Sequence, residues 1–177
     1  KIYGEKKAYD RAIYDFNNAL LFDPNLVETR CRRGFMYQQI GQHDLAISDF
    51  NYALETVPTC FNAYFGRGNY YIVKQDYDKA ISDLNQAIQL YSAFDEAYVS
   101  RGVAYAKGKR DYDQAMSNFN YALKLDSNSS SAYLNRGICY LDMQEGGKAI
   151  LDFNQAIDIE STNAKAYLNR GNAYANK

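Results

Sequence analysis

A short pattern recurs along this sequence at an almost constant interval, and the recurrence restricts the fold to a series of similar units. Tyr-x-x-Arg-Gly-x-x-Tyr occurs four times, and a fifth copy, from Arg30 to Tyr37, lacks only the first tyrosine. The five glycines follow one another at steps of 34, 34, 35 and 34 residues: Gly34, Gly68, Gly102, Gly137 and Gly171. A fixed period of this length is typical of repeat architectures, in which each unit packs against its neighbours.

A second pattern alternates with the first. It reads Ala-Ile-x-Asp-Phe-Asn-x-Ala-Leu, and its copies begin at Ala12, Ala46, Ala80, Ala115 and Ala149. Both patterns place small and aromatic residues three, four and seven positions apart, which is one face of an α-helix. Segments rich in Gly, Asp, Ser and Pro, which end helices and cap them, separate the patterns. Each period is therefore predicted to hold two helices of about 12 to 14 residues, which are only marginally stable alone.

These residues resemble the tetratricopeptide repeat, and the resemblance covers essentially the whole chain. It implies an all-α fold, an α-solenoid in the form of a right-handed superhelix of stacked antiparallel helix hairpins. Glycine and alanine would mark close helix contacts, with the tyrosine and phenylalanine rings filling the spaces between helices. We expect a single array over residues 1–177, made of a partial repeat at 1–26, full repeats at 27–60, 61–94, 95–129 and 130–163, and the first helix of a further repeat at 164–177.

Three polar residue types also recur with the period. Arginine precedes each repeat glycine: Arg33, Arg67, Arg101, Arg136 and Arg170. The second helix carries aspartate at Asp15, Asp49, Asp83 and Asp152, with Asn118 in the remaining copy. Because unpaired charges are costly in packed hairpins, we expect an Arg–Asp ladder along the stack. The alternative is an arginine row that binds an acidic peptide. For the asparagine column (Asn17, Asn51, Asn85, Asn120 and Asn154) we expect a bond to neighbouring backbone, or a surface position.

The resemblance also implies where a partner would bind, since first helices line the concave side of such arrays. The predicted groove positions flank the buried stripe of each first helix. They are Arg32, Phe35, Gln39, Phe65, Asn69, Ile72, Val73, Ser100, Val103, Lys107, Asn135, Ile138, Asp142, Asn169, Asn172 and Asn176. The apolar centre formed by four of them suits an extended or helical peptide with apolar anchors. The alternative at each position is an ordinary solvated or packed residue.

One subclass of the family binds the C-terminal carboxylate of chaperones through two lysines, two asparagines and an arginine. The corresponding positions of the first three full repeats hold other residues: Cys31, Phe35, Gly66, Glu96 and Ser100. We therefore expect no binding of chaperone tails. The extra residue of the third full repeat falls near Lys107 to Arg110, where we expect a longer surface turn rather than an acidic contact.

Composition argues against several other classes of protein. The net charge of -1 is spread evenly, without the basic face that a nucleic-acid binder needs. No apolar run approaches the roughly 18 residues of a membrane span. The cysteines (Cys31, Cys60 and Cys139) lack metal-ligand spacing, and His43 is the single histidine. We expect no enzyme activity, no cofactor, no metal site, no nucleic-acid or membrane partner, and a reducing, cytoplasmic location.

The sequence begins near the second helix of one repeat and stops after the first helix of another. We expect further repeats on at least one side in the natural protein. We also expect head-to-tail self-association, in which helix 164–177 of one chain completes the repeat whose second helix is 8–21 in another. The favoured function is a scaffold or adaptor that binds a protein or peptide in its groove. The alternative is a regulatory or targeting module of a larger protein, for example of an enzyme.

Overall fold

The protein is described by a computed structural model that covers residues 2–176, with side chains from Lys6 onward. It forms two compact units that divide between Ser92 and Ala93, and each unit is described by itself. All regular secondary structure of the described residues is helical. The organisation of residues 1–177 as a single array stays a prediction.

Helices in both units alternate as the two sequence patterns predict. Unit 1 contains α1 (Ile2–Phe22), α2 (Val27–Gln39), α3 (His43–Thr56), α4 (Phe61–Val73) and α5 (Tyr77–Leu90). Unit 2 contains α6 (Asp95–Ala104), a π-helical turn (Tyr105–Lys109), α7 (Tyr112–Leu125), α8 (Ser130–Asp142), α9 (Gly146–Ile159) and α10 (Ala164–Ala175). Short loops join four hairpins, α2–α3, α4–α5, α6–α7 and α8–α9, and neighbouring hairpins stack within each unit. The predicted all-α fold of stacked antiparallel hairpins is confirmed.

The core of each hairpin is a ring or branched side chain placed against glycine. Phe50 on α3 is fully buried, and a Cβ atom added at Gly34 would lie 2.7 Å from its Cε1 atom. Phe119 stands in the same relation to Gly102, at 2.6 Å, and Phe153 to Gly137, at 2.7 Å. Leu84 fills the equivalent space at Gly68. The prediction that glycine marks a close helix approach is confirmed at these four repeats, because only a hydrogen atom fits there.

The N-terminal helix is longer than predicted. The sequence predicts a helix over residues 8–21, but α1 begins at Ile2. In two later second helices, α5 and α7, an aspartate caps the first turn: Asp76 accepts from the Lys79 N–H at 3.4 Å, and Asp111 accepts from the Gln114 N–H at 3.0 Å. The residue at the same repeat position in α1 is Ala8, whose side chain cannot accept a hydrogen bond. The prediction of a start near residue 8 was therefore wrong, and α1 extends through Ala8 to Ile2.

The extra residue of the third full repeat widens a helix instead of lengthening a surface loop. It is absorbed by the π-helical turn Tyr105–Lys109, which closes with the Asp111 N–H donating to the Tyr105 carbonyl at 3.2 Å. Arg110 follows in the left-handed conformation, at φ 49°. π-Helical turns inside α-helices accommodate such single-residue insertions. The prediction of a longer turn was therefore wrong in its geometry, although Lys107, Lys109 and Arg110 are exposed as expected.

Candidate functional site

In three repeats the arginine that precedes the repeat glycine binds both the second helix of its own hairpin and the helix before that hairpin. Arg33 on α2 donates from Nε and Nη2 to the two carboxylate oxygens of Asp49 on α3, at 2.8 and 2.6 Å. Its Nη1 atom donates to the Asn17 Oδ1 atom on α1 at 2.7 Å. We call this arrangement the arginine clamp. It recurs as Arg67 with Asp83 and Asn51, and as Arg136 with Asp152 and Asn120.

The three clamps are largely shielded from water. The Arg136 side chain is 18% exposed and that of Asp152 is 6% exposed. The paired carboxylate, by accepting these hydrogen bonds, raises the pKa of Arg136 above its usual range, and the same holds for Arg33 beside Asp49. The predicted Arg–Asp ladder is confirmed at these positions. Because the guanidinium groups are already bound within the fold, an arginine row that grips an acidic ligand is not supported there.

The asparagine column binds arginine side chains instead of the predicted backbone, although Asn17 and Asn120 are exposed, as the alternative expected. The sequence analysis expects these amides to bind the backbone of a neighbouring hairpin or to lie at the surface. In the structure Asn17, Asn51 and Asn120 each accept from an arginine side chain of the following hairpin, at 2.7 to 3.0 Å. Asn154 accepts from Arg170 Nη1 in the same way, at 2.7 Å. The asparagine is therefore the part of the clamp that reaches between hairpins.

The first helices of unit 1 carry the predicted groove residues on one face. Phe35 on α2 and Phe65 on α4 are half-buried, and their ring centroids lie 6.0 Å apart. The Phe35 ring also packs on the buried ring of Phe50, at 5.2 Å between centroids. We call the predicted groove positions of α2 and α4 face 1. Its centre is aromatic and rests on the core.

The remaining positions of face 1 differ in exposure. Val73 and Gln39 are exposed, whereas Asn69 and Ile72 are half-buried. Arg32 is also exposed, and its Nε atom lies 3.0 Å from a Glu28 carboxylate oxygen, so its charge is partly balanced on the same helix. An exposed ion pair of this kind stabilises little and leaves the guanidinium accessible to a ligand.

Two residues of this face were missed by the sequence analysis. The Gln38 side chain on α2 donates from Nε2 to the Gly66 carbonyl on α4 at 2.7 Å. A Cβ atom at Gly66 would overlap the Phe50 ring, so no side chain other than hydrogen fits between the two helices there. Gly66 lies two positions before the repeat glycine Gly68 and is not part of the repeated pattern. This extra glycine is the sequence signal that could have identified it.

The predicted groove residues of unit 2 are less aromatic, and we call their surface face 2. Ser100 and Val103 on α6 are half-buried, and Lys107 in the π-helical turn is exposed. Ile138 on α8 packs partly against the core of this unit. The other positions, on α8 and α10, are polar: Asn135, Asp142, Asn169, Asn172 and Asn176.

Two amides of face 2 are oriented by their own helices. Asn135 donates from Nδ2 to the Ser131 carbonyl at 2.8 Å, and Asn169 donates from Nδ2 to the Lys165 carbonyl at 2.9 Å. Each side chain keeps an Oδ1 acceptor beyond that bond. Face 2 can therefore accept hydrogen bonds from a ligand, while face 1 offers an apolar contact.

Three family models match the chain: two described as tetratricopeptide repeat, at residues 61–94 and 95–129, and one described as TPR repeat, at residues 140–177. Together with the repeat spacing and the hairpin packing, these matches show that the chain belongs to the tetratricopeptide repeat family. No curated protein matches the chain significantly.

Solved structures of the same kind resemble the whole chain. A thermophilic TPR protein from Thermus thermophilus has a TM-score of 0.84 and 18% identity, over 98% of this chain and 94% of its own. MamA has a TM-score of 0.69 and 27% identity, over 91% and 94% of the two chains. YrrB, described as a TPR protein with an unusual peptide-binding site, has a TM-score of 0.67 and 21% identity, over 90% and 82%.

Between residues 2 and 176, no helix is both long enough and apolar enough to cross a bilayer.

Proposed function

We propose that the chain is a non-catalytic scaffold that binds a peptide segment of a partner protein on face 1. Membership of the tetratricopeptide repeat family supports a protein-interaction module in general terms. The observation that carries the finer proposal is the pair of half-buried rings, Phe35 and Phe65, of which Phe35 packs on the buried ring of Phe50. Rigid aromatic side chains on a packed base are typical anchors of protein interfaces.

The chemistry of face 1 indicates what the peptide presents. An aliphatic or aromatic side chain would contact the two rings and remove them from water, which is favourable in proportion to the apolar area buried. Ile72 and Val73 extend the apolar surface on one side, and Asn69 supplies a polar group next to the rings. A peptide with apolar residues separated by polar ones fits this surface better than an acidic tail does.

The peptide-binding site described for YrrB supports peptide binding by analogy of fold alone, since YrrB is 21% identical to this chain. The chaperone-tail subclass is not favoured, because Phe35 and Gly66 stand where that subclass carries polar or charged ligand contacts.

The test is selection of binders from a displayed library of random peptides, followed by titration of the enriched peptides. The proposal expects enriched peptides to carry apolar anchors and to lose at least about tenfold in affinity for the F35A/F65A/N69A variant. A matched control, L45A/L90A/S82A, changes exposed residues of α3 and α5 and should bind as the parent chain does.

Truncating Phe35 also weakens the core, so a second variant keeps the result interpretable. Val73 is 56% exposed, and V73E places a charge on face 1, about two helical turns after Phe65, where the side chain is not packed in the core. It should weaken binding while the thermal unfolding curve is unchanged. Peptides that bind the parent, the triple variant and V73E equally well would contradict the proposal.

A further inference from the structure

Two helices, one in each unit, lack the partner that every complete hairpin provides. The α10 helix carries the first-helix pattern Tyr167, Arg170, Gly171 and Tyr174, and α1 carries the second-helix pattern Asp15, Phe16 and Ala19. In complete hairpins these faces are covered by each other. Here they are open on both helices.

The surroundings of Gly171 and the exposure of Tyr174 show that one face of α10 is uncovered. A Cβ atom at Gly171 would meet no atom within 4 Å, whereas at Gly137 it would meet the Phe153 ring at 2.7 Å. Tyr174 is 57% exposed, but the equivalent Tyr140 in α8 is half-buried. The space that a phenylalanine fills in the other repeats is therefore empty beside α10.

The open face of α1 is complementary to this space. Phe16 is only half-buried, although the equivalent Phe50 and Phe153 are fully buried. Ala19 is half-buried where Ala53 is fully buried. The α1 helix thus presents a ring and a small residue without the first helix that normally covers them.

Charge complementarity fixes the register in which the two faces would meet. Arg170 holds half of an arginine clamp: its Nη1 atom donates to Asn154, and no ion pair joins it to a carboxylate of the described residues. Asp15 on α1 is exposed, whereas Asp49 and Asp152 are buried in their clamps. Meanwhile Asn17 on the same helix already accepts from Arg33 of the following hairpin.

One register satisfies both contacts at once. Within a complete repeat, Arg136 meets Asp152 and Gly137 meets Phe153, so adjacent residues meet adjacent residues. Placing α1 of a second copy against α10 in the same way brings Asp15 to Arg170 and Phe16 to Gly171. We propose that these two faces bind each other between copies of this chain, giving head-to-tail self-association.

Such a contact is heterologous, since it joins two different surfaces and leaves one of each free. Assembly would therefore continue beyond the dimer as concentration rises. Sedimentation velocity over a concentration series tests this: the weight-average sedimentation coefficient should increase steadily, and a strictly monomeric chain at high concentration would overturn the proposal.

Two glycine substitutions provide a matched comparison. G171L fills the empty space on α10 and should reduce association at least about tenfold. G147L adds the same side chain on α9, where a Cβ atom also meets nothing within 4 Å, and it should associate like the parent. Equal association of G171L and the parent chain would overturn the assigned interface.

A mixing experiment tests the polarity of the contact. G171L blocks only the α10 face by its size, and D15K disables only the α1 face by placing a positive charge against Arg170, so each variant alone should remain monomeric. An equimolar mixture should form a one-to-one complex and nothing larger, through Arg170 of the D15K chain and Asp15 of the G171L chain, because the opposite contact would combine both substitutions. A mixture that stays monomeric, while the parent associates and both variants are folded by circular dichroism, would contradict this pairing.

A separate observation concerns two cysteines of unit 1, which lie 29 residues apart in the sequence. The Cys31 and Cys60 Sγ atoms are 3.4 Å apart, and both thiols are free. Cys31 is fully buried on α2, and Cys60 stands at the N-terminal cap of α4. The hydrogen bond that Cys60 accepts from Cys31 lowers the pKa of Cys60 to about 6. The backbone N–H of Ala63 acts in the same direction but less strongly.

From this contact we infer that Cys31 and Cys60 form a reversible disulfide with a low-molecular-weight disulfide as oxidant. The Cys60 thiolate attacks one sulfur of the oxidant, forming a mixed disulfide and releasing one thiolate. Cys31 then gives up its proton and attacks the Cys60 sulfur, releasing the second thiolate. Two protein thiols are oxidised and one small disulfide is reduced to two thiols, and the Sγ atoms need approach by only about 1.4 Å.

Incubation with oxidised glutathione and mass spectrometry tests the pair. The parent chain should lose two hydrogen atoms without retaining glutathione, C31S should retain one glutathione on Cys60, and C60S should retain none. C139S should behave as the parent does, because Cys139 is buried and burial raises the pKa of its thiol to about 11. A parent chain that remains a dithiol, or that keeps bound glutathione, would overturn the inference.

Discussion

The third and fourth full repeats are neighbours in unit 2 and differ at one acceptor of the arginine clamp. Arg136 in the fourth repeat donates to the charged Asp152, whereas Arg101 in the third donates from Nε to the neutral Asn118 at 2.8 Å. The pKa of Arg136 is raised by its carboxylate, and burial lowers the pKa of Arg101. Both repeats place a hydrogen-bond acceptor at this position, and we expect the charge of Asp152 to add stability.

Apart from the π-helical turn of the third repeat, both repeats share one packing scheme. Gly102 contacts Phe119, and Gly137 contacts Phe153, at nearly equal distances. The turn before the second helix closes with a left-handed residue in both, Arg110 and Gln144. Differences in stability between the two repeats should therefore follow the acceptor, and substitutions at shared contacts should have equal effects in both.

The largest expected effect is loss of the charged acceptor. D152A leaves Arg136 shielded without its carboxylate, and breaking a buried ion pair in this way costs about 3 to 5 kcal/mol. Urea unfolding followed by circular dichroism measures the change. D158A, at an exposed position of the same helix, is the control and should be close to neutral. A loss below about 1 kcal/mol in D152A would show that the clamp stabilises little.

Adding a methyl group at the shared ring contact should be the next largest effect. G137A and G102A each place a Cβ atom within 2.7 Å of a phenylalanine ring, and overpacking of this kind costs about 1 to 3 kcal/mol. The two losses should agree within error in the same unfolding assay. G171A, where no ring is present, should instead stabilise the helix by about 0.5 to 1 kcal/mol. Unequal losses of unfolding free energy for G137A and G102A would show that the ring contact is not equivalent in the two repeats.

Restoring the charge in the third repeat should have a smaller and opposite effect. N118D gives Arg101 a carboxylate like that of Asp152, at the cost of the bond from Asn118 Nδ2 to the Gln114 carbonyl. We expect a gain of about 1 kcal/mol, the difference between a charged and a neutral hydrogen-bond partner. A decrease in the free energy of unfolding would mean that the amide is required there.

The smallest effect concerns the shared left-handed turn residues. Gln144 has φ 62°, a conformation that disfavours side chains, and Q144G should stabilise the chain by about 0.5 kcal/mol once the entropy of glycine is included. R110G should give a similar gain in the third repeat. M143G, one residue earlier at a negative φ, should destabilise, and thermal unfolding of the three variants measures the order.

The hairpins, the ring-on-glycine contacts and the Arg–Asp pairing could be predicted because they repeat with the period, so one rule covers every copy. Features that occur once could not. The Cys31–Cys60 contact depends on the packing of α2 against α4, and the π-helical turn depends on where the chain absorbs one residue. The asparagine partners were missed because sequence spacing shows that Asn120 recurs, but not that Arg136 reaches it across hairpins.

The predicted groove residues fall on first helices, but the sequence could not rank them. Phe35 and Phe65 stand out only once the structure shows their rings 6.0 Å apart, with Phe35 on the buried Phe50 ring. Asn135 and Asn169 look identical to other amides in the sequence, and only the structure shows that each donates to its own helix backbone.

The central claim is that one guanidinium joins two hairpins, so that the arginine column serves the fold and leaves the flanking faces for a partner. A double-mutant cycle of N120A and D152A tests it, since these residues lie on α7 and α9 and meet through Arg136. The account predicts a coupling free energy of at least about 0.5 kcal/mol, which disappears when Arg136 is replaced by methionine. Additive effects in the parent chain would contradict it.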